Sequence, residues 1–288
     1  MASISNYFTL IKFSHTIFAL PFAVIGFFLA TIQIASPIEW VKFIYVVLCM
    51  VFARSAAMAF NRYIDRDIDK ANARTAEIRE IPNGTIKPKS ALLFVIVNCV
   101  LFIATTYFIN PLCFYLSPIA LIVVLGYSLT KRFTALCHLV LGVGLSLAPI
   151  GAYLAVTGKF DWLPLFFSFA VLFWVSGFDI IYALQDEEFD KQQKLHSIPV
   201  MLGKKNALFL STILHIITAS LILFAGFYAG FNYFYWIGSG IFIALLVYQH
   251  LIVKPSNLSR VNLAFFTTNG IASVVFSIFV LLDLFLVR

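Results

Sequence analysis

The chain has 288 residues, of which 61% are hydrophobic and only 11% charged. Ordinary soluble domains carry roughly 45–50% apolar and roughly 25% charged residues, so a water-soluble particle would lack the polar surface to cover itself. A disordered chain and a nucleic-acid module are excluded on the same grounds. The net charge of +7 reads instead as Lys and Arg gathered in the inner loops of a membrane protein.

Nine apolar segments, each long enough to span a bilayer, follow in chain order. They cover about 13–34, 41–63, 90–108, 112–130, 135–156, 161–185, 206–229, 232–253 and 262–286. Pro37, Pro111, Pro255 and Gly158 punctuate the gaps. The first segment is too long for a signal-peptide core and no small-residue cleavage pattern follows it, so it reads as a retained helix. With the N-terminus inside, every basic residue except Lys42, Lys159 and Arg288 falls in an inner segment or an adjoining helix end. This asymmetry predicts an inner-membrane protein with a cytoplasmic N-terminus and the C-terminus on the opposite side. Cys49, Cys99, Cys113 and Cys137 lie in apolar stretches without a CxxC pair, which argues against a disulfide framework or a thiolate metal site.

Most of the 13 acids lie in two windows, each ending a long apolar helix on the predicted cytoplasmic side. The first holds Asp65, Asp67, Asp69, Glu77 and Glu80, and the second Asp179, Asp186, Glu187, Glu188 and Asp190. Ile81-Pro82 and Lys89-Ser90-Ala91-Leu92 follow the first window; Ile198-Pro199 and Lys205-Asn206-Ala207-Leu208 follow the second. That echo suggests two four-helix units plus a ninth helix within one domain spanning 1–288. The expected fold is an all-α bundle of nine transmembrane helices with two Asp-rich cytoplasmic loops.

Asn61, Asp65 and Asp69 are spaced i, i+4, i+8 and stack on one helical face. Asp179, Asp186 and Asp190, spaced i, i+7, i+11, form a second stripe. Like charges one turn apart destabilise a helix unless a cation lies between them, and oxygen-only donors suit Mg²⁺. Asp179 lies inside the apolar run Leu172–Ile181, where an ionisable group is a functional candidate by default. Asp67, Glu77, Glu80, Glu187 and Glu188 read as solvated surface acids. Arg54, seven residues before Asn61, shares the first stripe at greater depth. Its planar fork suits a carboxylate or phosphate, although it could simply pair with Asp179. Arg62, Arg66, Arg74, Lys131, Arg132 and Lys194 supply positive charge nearby. Two acidic patches with such basic groups describe a site for a diphosphate and its metal, and Phe-rich helices above it suit a long lipid tail.

His15, His215 and His250 read as packing residues, while His138 and His196 fall near the cytoplasmic ends. No GxxxxGK[ST], HExxH or GxSxG motif occurs, so nucleotide-driven, zincin and serine-hydrolase chemistries find no support. A cation-coupled secondary transporter would also use intramembrane acids, but its site tends to lie at the bilayer midplane and on Pro/Gly-broken helices.

The two windows, NRYIDRDID at Asn61–Asp69 and DIIYALQDEEFD at Asp179–Asp190, resemble the NxxxDxxxD and DxxxxxxDxxxD motifs of the UbiA superfamily of membrane prenyltransferases. Tyr127-Ser-Leu-Thr-Lys131-Arg132 and His196-Ser-Ile-Pro199 resemble its 4-hydroxybenzoate polyprenyltransferase branch. The resemblance implies that Asp65, Asp69, Asp186 and Asp190 hold Mg²⁺ on a polyprenyl diphosphate. Arg54 would take the carboxylate of an aromatic acid acceptor, and Asn61 and Asp179 would organise metal and ring. Tyr127, Phe178 and Tyr182 are candidates to shield an allylic cation. The acceptor implied is 4-hydroxybenzoate, with a dihydroxynaphthoate of menaquinone synthesis as the alternative.

Overall fold

The computed structural model describes residues 4–287, apart from the side chains of residue 4 and residues 13–15; Arg288 and the side chain of His15 therefore lie outside the described residues. Among the described residues the protein is helical with no strand. A short α1 (Ile4–Leu10) and a 3₁₀ turn (Phe13–Phe18) precede α2 (Leu20–Gln33). Then come α3 (Trp40–Ile64), α4 (Arg66–Ala71), α5 (Pro88–Ile109), α6 (Pro111–Thr130), α7 (Cys137–Thr157) and α8 (Trp162–Ala183). The chain ends with α9 (Glu187–Gln192), α10 (Ile198–Ala229), α11 (Tyr233–Ile252) and α12 (Asn269–Leu286). Nine helices among the described residues are long and apolar enough to cross a membrane, and they match the nine apolar segments in the sequence.

The helices pack mainly with sequence neighbours, α3 on α5, α6 on α7, α7 on α8, α8 on α10 and α11 on α12. α2 packs against α7 and α12 and draws the two ends of the chain together. Lipid tails are as apolar as Leu, so close backbone approach rather than water exclusion holds such helices together. Gly142 shows this between α7 and α8: a Cβ there would fall 2.4 Å from Ser176 Oγ and 2.5 Å from the Leu172 carbonyl.

Two elements depart from the regular helices expected. α10 is broken at Gly203, which takes φ 74° and ψ 162°, a conformation that glycine adopts freely. The predicted span from 206 is the long arm beyond that break. The ninth span opens with a π-helical turn, Leu263–Thr268. There the Asn269 amide donates to the carbonyls of Ala264 (3.2 Å) and Phe265 (3.0 Å) and accepts from Trp174 Nε1 (2.9 Å) and Gln249 Nε2 (2.7 Å).

Candidate active site

Both aspartate windows interrupt their helices without losing their faces. α3 ends at Ile64, yet Asp65 N still bonds Asn61 O (2.9 Å) and Asp69 N bonds Asp65 O (2.7 Å). Asn61, Asp65 and Asp69 thus remain stacked, with Asn61 Nδ2 donating to Asp65 Oδ2 at 3.0 Å. In the second window a 3₁₀ turn at Leu184–Asp186 separates α8 from α9. Asp179, Asp186 and Asp190 are therefore not one regular helical stripe, although all three reach the same cavity.

That cavity holds about 260 Å³ at the end of the bundle formed by the two windows, and its wall contains most of the residues singled out in the sequence. These include Arg54, Asn61, Arg62, Asp65, Asp69, Arg74, Tyr127, Lys131, Arg132, Asp179, Tyr182, Asp186 and Asp190. Arg66 and Lys194 are not in the wall; Arg66 turns back to the Tyr63 carbonyl (2.8 Å) and to Asp67 (3.7 Å). Glu80 is buried rather than solvated, whereas the Asp67 side chain is 84% exposed.

Each window carboxylate in the wall faces a basic side chain from another segment. Arg74, on the loop after the first window, grips Asp186 in the second through Nε–Oδ1 (3.1 Å) and Nη2–Oδ2, and its Nη1 donates to the Tyr182 hydroxyl (3.0 Å). Asn72 Nδ2 adds a contact to Asp186 Oδ1 at 3.3 Å. Arg79 returns to pair with Asp69. Lys131 Nζ stands 2.7 Å from Asp190, and Arg132 Nη2 reaches both Asp65 (3.2 Å) and the Ile64 carbonyl (2.8 Å). Burial pushes the Asp65 carboxyl above its ordinary value and Asp69 adds to that, against the pull of Arg132, Lys131 and Arg79.

Asp179 does not pair with Arg54. It takes His138, Nδ1 to Oδ2 at 2.7 Å, because the tight α7–α8 contact places that ring beside it. From the spacing alone His138 has only its place near a cytoplasmic end, and nothing marks Arg79 or Asn72 as wall residues. Arg54 has no ion pair among the described residues, and its Nε is buried without a hydrogen-bond partner.

The donor set fits a hard divalent ion. It is oxygen-rich, and Asp69 Oδ2 is buried with no hydrogen-bond donor. Among the described residues no three His, Cys, Asp or Glu side chains gather closely enough to hold an ion alone. Mg²⁺ does not need them to, since it is usually held by one or two carboxylates plus phosphate oxygens and water. The wall carries five carboxylates and six Arg and Lys side chains, including Arg79, a surplus of one formal positive charge that favours an anion.

A second cavity of about 360 Å³, almost wholly apolar, continues from the first and shares Arg54, Met58, Tyr127, Leu141 and Leu145 with it. It follows α6 from Tyr127 to Cys113 and α7 from Leu141 to Ala155. At ~1.5 Å per residue this is about 20 Å of depth. It reaches the surface beside Ile119 and Phe160, both more than half exposed.

The profile of the UbiA prenyltransferase family matches residues 19–271. A 4-hydroxybenzoate octaprenyltransferase of Aliivibrio fischeri (strain MJ11) is 31% identical over 245 residues, covering 83% of this chain and 82% of that protein. A protein of the same name from Francisella tularensis subsp. mediasiatica (strain FSC147) is 27% identical over 232 residues, 81% of either chain. Among solved structures, a UbiA homologue from Aeropyrum pernix K1 superposes with a TM-score of 0.84 at 29% identity, over 93% of this chain and 98% of that one. A UbiA homologue from Archaeoglobus fulgidus bound to DMAPP and Mg²⁺ shares the fold, with a TM-score of 0.74 at 23% identity over 98% and 99% of the two chains. These matches exclude the secondary-transporter reading: the chain is a multi-pass membrane enzyme that transfers prenyl groups, and it belongs to the UbiA prenyltransferase family.

Proposed function

We propose that the protein transfers a polyprenyl group from its diphosphate to the ring of an aromatic acid, 4-hydroxybenzoate, in quinone biosynthesis, at the cytoplasmic face of the inner membrane. The observation that carries this reading is the junction of the two cavities: a charged chamber suited to a diphosphate opens into an apolar channel suited to its tail. The names of the curated relatives support the acceptor.

Asp65, Asp69, Asp186 and Asp190, with Asn61, would hold Mg²⁺, which when bound supplies positive charge to the leaving diphosphate. Arg62, Arg74, Arg79, Lys131 and Arg132 neutralise the remaining phosphate charge. Arg54 stands at the junction with a buried unpartnered Nε and receives the acceptor's carboxylate. The C–O bond of the prenyl diphosphate breaks with its electron pair passing to the diphosphate. A ring carbon of the acceptor forms the new C–C bond, and the ring proton leaves with the diphosphate. Tyr127, Phe178 and Tyr182 line the chamber and present aromatic faces to the cationic carbon. The test is incubation of membranes containing the protein with labelled prenyl diphosphate and a panel of aromatic acids, with and without Mg²⁺. Transfer to a hydroxybenzoate that requires the ion is the expected result, and transfer only to a non-carboxylated lipid would overturn the acceptor.

A further inference from the structure

His138 is the second residue of α7 and is buried, with 3% of its surface exposed. Its Nδ1 lies 2.7 Å from Asp179 Oδ2, and its Nε2 lies 3.3 Å from the backbone nitrogen of Ile198. A backbone N–H can only donate, so Nε2 is the accepting nitrogen. The proton of the neutral ring is therefore on Nδ1, directed at Asp179. The ring is held on both sides of this bond. Ser176 Oγ, on α8, donates to the His138 carbonyl (3.2 Å), and Cys137 Sγ contacts the His196 carbonyl (3.6 Å). Both neighbours of α7 thus fix the start of the helix where the imidazole is attached.

Asp179 lines the charged chamber and keeps 22% of its side chain exposed. Its Oδ1 makes no hydrogen bond among the described residues. One carboxylate oxygen is thus pinned by a donor that cannot turn away, and the other is available in the chamber wall.

We propose that His138 is a positioning residue for prenyl transfer: by donating Nδ1–H to Asp179 Oδ2 it holds Asp179 oriented, so that Oδ1 accepts a hydrogen bond from the hydroxyl of the aromatic acceptor. This rests on the aromatic-acid reading above. A hydroxyl that donates to a carboxylate feeds electron density into its ring, and the ring carbon that attacks the prenyl group benefits as the bond forms. In this role His138 needs no contact with the reacting atoms. It acts by fixing which oxygen of Asp179 is offered, and a carboxylate left to rotate loses that preference.

The experiment uses the full chain in detergent or nanodiscs with geranyl diphosphate, Mg²⁺ and 4-hydroxybenzoate. Five variants are compared: His138→Leu, His138→Asn, His138→Gln, Asp179→Asn and the pair His138→Leu with Asp179→Asn. The Asn amide nitrogen falls near the place of Nδ1 and can donate to Asp179, whereas the longer Gln reaches the place of Nε2. His138→Leu is expected to lose about 10- to 100-fold in kcat/KM for the aromatic acid, the scale of a hydrogen bond to a charged group. Its KM for geranyl diphosphate should change by less than about twofold. His138→Asn should recover most of the loss and His138→Gln little of it, and the double variant should be no worse than Asp179→Asn alone. A packing role would instead lower Tm, weaken both substrates together and leave Asn no better than Gln; that pattern overturns the proposal. Wild-type turnover with an unaffected, folded His138→Leu overturns the role of His138 alone. Absence of wild-type turnover on every aromatic acid tried overturns the acceptor reading and this proposal with it.

Discussion

Arg74 and Asp186 lie 112 positions apart in the chain and meet through a two-pronged contact, Nε–Oδ1 at 3.1 Å with Nη2 on Oδ2. The pair ties the loop after the first aspartate window to the second window, and a planar fork on a carboxylate is the geometry in which Arg and Lys differ most. Arg74→Lys and Asp186→Asn are each expected to raise the KM for prenyl diphosphate. The double variant should cost less than the sum, with a coupling of about 0.5–3 kcal/mol from a double-mutant cycle. Simple additivity would mean that the contact does not organise the chamber.

Metal dependence follows from the oxygen-rich wall. Chelation with EDTA should abolish turnover, and Mg²⁺ should restore it. Asp65→Asn and Asp69→Asn should each remove most of the activity, since both carboxylates line the chamber. Asp67→Asn should stay within about threefold of wild type, because that side chain is largely solvated and exposed ion pairs contribute ~0–1 kcal/mol. Comparable losses at all three positions would contradict the facial arrangement.

Arg54 offers a separate reading of the acceptor. Arg54→Ala should raise the KM of the aromatic acid and lower kcat/KM by about 10- to 150-fold, the equivalent of ~1.5–3 kcal/mol for a charge-assisted contact. Prenyl diphosphate affinity should change little. Asp179 is already held by His138, so Tm should not fall as it would on breaking a buried ion pair. A normal aromatic KM in the folded variant would remove the carboxylate-binding role.

Gly151 forms bare wall in the apolar channel: a Cβ there would meet nothing within 4 Å. Gly151→Phe should therefore fold normally and shorten the channel. Turnover of geranyl diphosphate should persist, while that of octaprenyl diphosphate drops by about tenfold or more. Excluding two methylenes at ~0.8 kcal/mol each is enough for that loss. Equal effects on short and long donors would place the tail elsewhere.

Asp283 is an intramembrane acid with a different task. It is fully buried on α12, and its two oxygens accept the backbone N–H groups of Asn232 (3.0 Å) and Tyr235 (3.1 Å) at the start of α11. Asp283→Ala leaves those donors unpaired, at a cost of about 1–3 kcal/mol. The Tm measured in detergent should fall accordingly, with KM values of the surviving folded fraction unchanged.

The membrane-spanning helices could be read from the sequence because each needs only length and apolarity, and those are local properties. The stripe Asn61–Asp65–Asp69 was readable for a similar reason, since i+4 spacing survives the break after Ile64. What the sequence hid depends on contacts between distant segments. Nothing in the spacing of Asp179 announces His138, because their meeting requires Gly142 to let α7 and α8 close. The part played by Asp283 becomes visible only when α11 is placed beside it. The π-helical turn at Leu263–Thr268 has an ordinary apolar pattern, and its support comes from Trp174 and Gln249 on other helices.

The mouth of the apolar channel beside Ile119 and Phe160 bears on the energetics of a membrane substrate. A prenyl chain drawn into water would lose about 0.8 kcal/mol for every methylene it exposes. On the function proposed above, the headgroup would meet the charged chamber while the chain stays among the apolar side chains of the channel. Loading would then carry no extraction step, and its cost would not rise as the tail lengthens.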